Sequence, residues 1–380
     1  MGGGPPKDFL LAILPFSEPQ PILSKLRSRF PEIEIAYFDT SSSPQATYAE
    51  LQDKVPRELW QRATILVTLF TFPEKVEDAP KLELVHLVSA GSNQMSETPI
   101  YKDSEEIVIT TSSGIHGPQI AEWVLMTGLV GSHGYRQLYE LQKRKQWGSN
   151  IDDGSQKKQK QKQKQDYRNV RDWVGRRIGI LGYGSIGRQV GRVAHAMGME
   201  VFAYTATAKD TQEKKKDRGY IVPGTGDAEG EIPREWYSGL AREDLRKFLQ
   251  QDLDWLAVSV PLTKETRHFL SHAEFDVLSA GGKRPAFVTN IARGAILDQP
   301  ALIDALKDGR LSGAALDVTD PEPLPRESEL WELENVILTP HVSGIGSDYV
   351  DRTFEVLEGN LERRRKGEGL INVVNRRRGY

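Results

Sequence analysis

Short apolar runs alternate with polar, helix-compatible stretches over the first 115 residues, at 9–14, 33–38, 65–70, 84–88 and 107–109. A second series begins at Arg177, with runs at 178–181, 201–204, 255–260, 286–291, 314–318 and 336–338. Runs of this length between helical patterns predict the buried strands of parallel sheets. Between the two series a helix is predicted from about 118 to 146. Its segment IAEWVLMTGLV is apolar on nearly all sides, as in helices buried between layers or domains. A last helix is predicted over 347–361. The 380 residues suit two domains, since a domain usually holds about 100–200.

Two stretches interrupt this pattern. Residues 148–169 contain a Gln/Lys repeat at 156–165 with five lysines and five glutamines. Nothing there can build a core, so an exposed loop is expected, with a nucleic-acid or nuclear-localisation patch as the alternative. Residues 205–242 are polar and include YIVPGTGDAEGEIP, which reads as an inserted loop.

Composition narrows the function classes. Fifty Lys and Arg against 53 Asp and Glu give a net charge of −3, so no general attraction to nucleic acid or anionic membrane is expected. The chain has no cysteine, which removes disulfides, thiolate metal sites and a cysteine nucleophile. No His/Asp/Glu cluster shows metal-ligand spacing. No apolar run approaches the roughly 20 residues that span a bilayer. The first run ends at Pro15 and Glu18 with no small-residue cleavage site, so a buried strand is expected rather than a signal peptide, and a cytoplasmic protein fits.

Gly182-Tyr183-Gly184-Ser185-Ile186-Gly187 spells G-x-G-x-x-G after an apolar strand and before an amphipathic helix. Gly182 permits the tight turn, Gly184 lets the backbone approach a pyrophosphate, and Gly187 allows close helix–strand packing. The helix N-terminus then offers N–H groups to the anion. The acidic residue that binds the ribose 2′-OH of NAD is expected about 20 residues on. Thr205 stands there, followed by Ala206, Thr207, Ala208 and Lys209. Losing the carboxylate removes repulsion against a 2′-phosphate, and Thr205, Thr207 and Lys209 could donate to it. NADP is therefore favoured over NAD; a Thr205 that merely caps its strand would leave both open.

Three further segments carry chemistry at expected strand ends. FVTNIARGAILD holds Arg293, AALDVTDPEPLP holds Asp317 and Glu322, and NVILTPHVSG holds His341. Arginine offers a planar fork to a carboxylate or carbonyl. Histidine exchanges a proton near neutral pH, and a nearby carboxylate favours its charged form. The three together suit reduction of a 2-oxo acid. The other histidines, such as His86, His195 and His272, read as structural.

Across nearly the whole chain the sequence resembles the D-isomer-specific 2-hydroxyacid dehydrogenase family, through GILGYGSIG, VPLTKETRHFL, NIARGAILD, ALDVTDPEPL, LTPHVSG and NVVNRRRGY. The resemblance implies two Rossmann-like, doubly wound parallel-sheet domains with a cleft between them. A substrate domain would comprise 1–117 plus 343–380, and a dinucleotide domain 118–342. Arg293 would bind the substrate carboxylate and reacting carbonyl. His341 would protonate the carbonyl oxygen, Glu322 would orient His341, and Asp317 would contact the nicotinamide carboxamide. Pro261 and Thr266, in the VPLT segment, and Ile291 and Ala292 would lie along the cofactor. In LVSAGSNQM, Ala90, Gly91 and Ser92 would form the substrate loop, with the N–H groups of Gly91 and Ser92 on the carboxylate.

The resemblance further implies a homodimer joined through the helix near Ile120. Ser259 and Thr319 depart from the family pattern, which bears on cofactor contacts and substrate range rather than on the Arg/Glu/His set. The alternative function is a dinucleotide-sensing module like the family's corepressor relatives, binding nucleotide without turnover.

Overall fold

The computed structural model describes residues 8–42, 48–147, 170, 172–280 and 284–376. The Gln/Lys stretch at 148–169 lies outside the described residues. The chain divides into two units.

The first unit comprises Met1–Ile115, Arg218–Tyr220 and Gly346–Tyr380. Its strands are β1 (Asp8–Leu14), β2 (Ile33–Asp39), β3 (Ile65–Thr68), β4 (Leu84–Leu87) and β5 (Val108–Thr111). They form one parallel sheet in the order β2-β1-β3-β4-β5, a doubly wound arrangement. The period-two alternation of β1 feeds both faces. Leu10, Ala12 and Leu14 pack with Leu23, Leu26, Phe354 and Leu357 from the helices Gln20–Arg29 and Tyr349–Lys366. Phe9, Leu11 and Ile13 pack with Trp60 and Ile100 on the other side. The Arg218–Tyr220 piece joins this unit by close backbone approach. A Cβ on Gly114 would meet the Tyr220 carbonyl oxygen at 2.0 Å, and the Tyr220 hydroxyl donates to Glu355.

The second unit comprises His116–Asp217 and Ile221–Ile345. Its strands are β6 (Arg177–Leu181), β7 (Glu200–Thr205), β8 (Glu235–Ser238), β9 (Trp255–Val258), β10 (Ala286–Asn290), β11 (Leu311–Leu316) and β12 (Val336–Leu338). They form a seven-stranded parallel sheet in the order β12-β11-β10-β9-β6-β7-β8. From β8 to β11 this is the Rossmann order, and the topological switch falls between β6 and β9. The helix Gly117–Ser132 packs on one face, burying Ile120, Ala121, Trp123 and Val124 against Ile178, Ile180 and Trp255. A Cβ on Gly128 would lie 2.3 Å from the Trp255 ring, so glycine there lets helix and indole meet.

Two expectations differ from the structure. The long helix predicted over 118–146 is two helices, Gly117–Ser132 and Tyr135–Lys143, because Gly134 between them takes φ +61°. The stretch at 205–242 is not a bare loop. It holds a short helix, Gln212–Lys215, capped by the Thr211 hydroxyl, and the edge strand β8. The β8 sequence EWYS is exposed or half-buried, so it carries no apolar run to announce it. Among the described residues no helix is long and apolar enough to cross a membrane.

Candidate active site

The switch point between β6 and β9 is where ligands of such sheets bind, and the phosphate-binding turn begins there. Gly182 takes φ +104°, and a Cβ on it would sit 2.7 Å from the Ser259 carbonyl carbon and the Val260 nitrogen. Ser259 donates its hydroxyl to the Gly182 carbonyl at 2.6 Å, tying the end of β9 to the turn. A Cβ on Gly187 would fall 2.2 Å from the Gly182 oxygen, so only glycine lets the helix Ser185–Ala196 approach the strand. Gly184, by contrast, has nothing within 4 Å of a built Cβ. It starts the helix without a side-chain cap, which leaves the first N–H groups, at Ser185 and Ile186, for an anion. This open cradle fits a pyrophosphate. The Tyr183 side chain is buried, and its hydroxyl donates to the Asp227 carboxylate at 2.9 Å.

At the end of β7 the Thr205 hydroxyl donates to the Thr207 carbonyl at 2.8 Å, within its own loop. Lys209 makes no salt bridge among the described residues. Burial, followed by the nearby Arg188 guanidinium, pulls its ammonium below the ordinary value. Thr266 is buried and spends its hydroxyl on the Pro261 carbonyl at 2.7 Å, closing the turn after β9, while Pro261 is exposed. Ile291 and Ala292 are buried directly after β10.

Arg293 follows on the same loop. Asn290 is buried and grips this loop twice, donating to the Arg293 carbonyl at 2.9 Å and accepting from the Ala292 N–H at 3.1 Å. The guanidinium of Arg293 donates to the Ala292 carbonyl at 2.6 Å. Burial lowers its pKa, and Glu322 lies close enough to pull the other way. Glu322 Oε1 stands 2.7 Å from His341 Nδ1. With Nδ1 held by a carboxylate, Nε2 is the nitrogen left for a substrate. The structure thus brings Arg293, Glu322 and His341 together within one unit.

His341 takes φ +55°, a left-handed conformation that a bulky residue rarely adopts. Asp317 holds it there. The His341 N–H donates to the Asp317 carbonyl at 2.8 Å. The buried Asp317 carboxylate accepts from the Thr339 hydroxyl at 2.6 Å, from the N–H groups of Val342 and Ser343 at 2.9 Å, and from the Ser343 hydroxyl. Those four bonds match the roughly four acceptor sites a carboxylate offers.

In the first unit, the Gly91 carbonyl accepts from the Ser89 hydroxyl at 2.7 Å, and Gln94 in turn donates to Ser89. Ala90 and Gly91 are half-buried and Ser92 is buried.

Residues 136–223 and 229–343 match the NAD binding domain of the D-isomer specific 2-hydroxyacid dehydrogenases. The chain belongs to that family. A glyoxylate reductase of Thermococcus gammatolerans is 35% identical over 205 residues, 54% of this chain and 53% of that protein. The chain spans about half the length of the first curated relatives it matches. A glyoxylate/hydroxypyruvate reductase B of Erwinia tasmaniensis is 27% identical over 304 residues, 76% of this chain and 80% of that protein. Among solved structures, a D-isomer specific 2-hydroxyacid dehydrogenase from Xanthobacter autotrophicus Py2, in complex with NADPH and MES, superposes with a TM-score of 0.72. It is 23% identical, with 98% of this chain and 100% of that chain covered, and the likeness is one of fold.

Sequence reasoning missed the residues that build the site around its ionisable groups. Asn290 and Gly294 flank Arg293 within the family segment NIARG, and Thr339 and Ser343 flank His341 within LTPHVSG. The only signal for them was their place in those segments. Among the described residues no group of His, Asp and Glu is arranged to hold a metal.

Proposed function

We propose that this chain is an NAD(P)-dependent oxidoreductase that interconverts a 2-oxo acid and a D-2-hydroxy acid. What carries the reading is the His341–Glu322 pair at 2.7 Å beside a half-buried Arg293, in a unit that belongs to a dehydrogenase family. The nicotinamide, when bound, supplies the hydride. The chain's own residues do the rest. Arg293 binds the substrate carboxylate and polarises the carbonyl. His341, held by Glu322, gives its Nε2 proton to the carbonyl oxygen as the alcohol forms, and takes it back in the reverse direction. The N–H groups of Gly91 and Ser92 are the proposed further contacts of the carboxylate.

The proposed cofactor is NADPH. Thr205 replaces the carboxylate that would repel a 2′-phosphate, and Lys209, without a salt bridge, stands four residues on. Substrate class is proposed as small 2-oxo acids of the glyoxylate and hydroxypyruvate kind, in line with the names of the relatives. Assembly is proposed as a homodimer through the helix Gly117–Ser132, on which Met126 is 52% exposed.

The test is initial rates of nicotinamide oxidation with a panel of 2-oxo acids, NADPH and NADH side by side. Turnover with at least one acid and a higher kcat/KM for NADPH is the expected result. Nucleotide binding with no turnover on any acid would replace the enzyme with a sensing module.

A further inference from the structure

The segment between β7 and β8 is folded onto the phosphate-binding helix through a buried polar network. Arg188, on the first turn of the helix Ser185–Ala196, is 4% exposed. Its guanidinium donates to the carbonyls of Asp227 and Lys215 and lies 3.6 Å from the Asp217 carboxylate. Tyr183, between the first two glycines of the turn, donates its hydroxyl to the Asp227 carboxylate at 2.9 Å. The same carboxylate accepts the N–H groups of Glu231 at 3.0 Å and Ile232 at 3.2 Å, which folds the segment around it. Further along the helix, Gln189 accepts from the Gly226 N–H at 2.6 Å and Arg192 donates to the Gly226 carbonyl at 3.2 Å.

Packing agrees with this bonding. A Cβ on Gly191 would meet the Tyr183 hydroxyl at 2.8 Å, so glycine in the helix clears a path for the phenol. The Tyr183 ring meets Trp236 edge-on at a centroid distance of 5.1 Å. Burial and Asp227 push the Tyr183 hydroxyl well above its ordinary range, so it stays a donor. Every helix or turn residue in the network lies in G-x-G-x-x-G or in the two helical turns after it.

We infer that the Tyr183–Asp227–Arg188 lock makes the stretches at 206–217 and 221–234 part of the dinucleotide grip, holding the phosphate-binding turn in its receptive shape. The three are positioning residues: their side-chain bonds run to one another and to the segment after β7. A turn freed from the lock samples other shapes, and nucleotide must then select the receptive one, which weakens apparent binding. Chemistry at His341 is not involved, so nucleotide binding tests the lock separately from the proposed reaction.

The experiment is equilibrium titration of the full chain with NADPH and, separately, NADH, read by tryptophan fluorescence, for Asp227→Asn, Tyr183→Phe and the double variant. Each single variant is expected to weaken binding of both nucleotides by about 10-fold, the low end of what a hydrogen bond to a charged group contributes, since one removes the bond and the other its charge. The double variant is expected to lose little more than the worse single, because both act on the same contact: Phe removes its donor and Asn leaves a neutral acceptor in place of the carboxylate. Unchanged dissociation constants with a lowered thermal midpoint would reduce the network to a structural brace and overturn the inference. Fully additive losses would overturn the shared lock. Tyr183→Phe removes only one oxygen and keeps the test usable should Asp227→Asn fail to fold.

Discussion

A methyl group built on Gly294 would lie 1.9 Å from the carbonyl carbon of Thr319 and 2.0 Å from its oxygen. The loop of Arg293 and the loop leading to Glu322 therefore meet backbone to backbone, and only glycine permits it. Gly294→Ala must push the two loops apart. Overpacking of this kind typically costs about 1–3 kcal/mol, and a backbone obstacle has little room to yield. Urea unfolding should show that loss, and oxo-acid turnover should fall at least about 10-fold because a misplacement near 1 Å at a reacting group is costly. A variant with wild-type kinetics would mean that the two loops need not touch for the site to work.

The His341–Glu322 pair sets a second expectation. His341→Ala should lower turnover by about 100- to 10,000-fold, the usual contribution of general acid–base catalysis. Glu322→Gln keeps the shape but replaces the carboxylate that holds Nδ1 with a neutral amide. Its kcat should fall, but less than that of His341→Ala. Unchanged kcat would remove Glu322 from the positioning of His341.

Asp317→Asn tests how the strained turn is held. The amide keeps one acceptor oxygen but turns a donor either on the Thr339 hydroxyl and Val342 N–H, now served by Oδ1, or on the Ser343 N–H and hydroxyl, now served by Oδ2. Losing a hydrogen bond to a buried charged group costs about 1.5–3 kcal/mol. His341 then loses the framework that keeps it at φ +55°, and turnover should drop together with stability. Lowered stability with full turnover would show that His341 holds its conformation unaided.

What could be read from the sequence was whatever periodicity or an ordered motif encodes. The strands of both sheets announce themselves because parallel strands are buried on both faces and read as unbroken apolar runs. Gly182, Gly184 and Gly187 announce the phosphate turn because its geometry excludes other residues at Gly182 and Gly187, and the open face at Gly184 leaves the backbone bare. Strand β8 was illegible because an edge strand needs no apolar run. The helix break at Gly134 was illegible because a lone glycine is tolerated within helices as well as at their ends. Arg293, Glu322 and His341 were legible as chemistry, but Asn290, Gly294 and Ser343 were not, since a polar or small residue that shapes a loop has no chemical signature of its own. The Tyr183–Asp227 bond joins positions 44 residues apart, a pairing that no local pattern encodes.

The proposed preference for NADPH rests on Lys209. Its charge is partly desolvated and lies near Arg188, with Asp217 close enough to pull the other way, and it makes no salt bridge among the described residues, so an incoming phosphate would stabilise it further. Lys209→Gln should lower kcat/KM for NADPH by about 10-fold, the scale of one charge-assisted hydrogen bond, and leave NADH within about twofold. Equal losses with both cofactors would place the lysine in the fold of its loop instead.

His86 predicts a pH dependence of stability that is separate from catalysis. It is fully buried on β4, with Nδ1 2.9 Å from the Thr110 hydroxyl and Nε2 3.2 Å from the Ser112 hydroxyl. The Ser112 hydroxyl also bonds the Leu87 carbonyl at 3.0 Å, the Thr110 hydroxyl lies 3.4 Å from the Val85 carbonyl, and the Thr353 backbone bonds the ring. Burial outweighs the Thr353 bond and pulls the ring's pKa from 6.5 down to about 4. Unfolded, the ring takes up a proton below about pH 6.5, whereas the folded ring resists until about pH 4. The contribution of His86 is therefore fully present above pH 6.5 and declines as pH falls through that window. The decline amounts to about 3 kcal/mol by pH 4, since each tenfold difference in proton affinity between folded and unfolded chain is worth about 1.4 kcal/mol. The measurement is the difference in unfolding free energy between wild type and His86→Leu from pH 8 to pH 4. That difference should be flat above pH 6.5 and shift in favour of the variant below it. A constant difference across the range would mean that the folded protein protonates His86 as readily as the unfolded chain does.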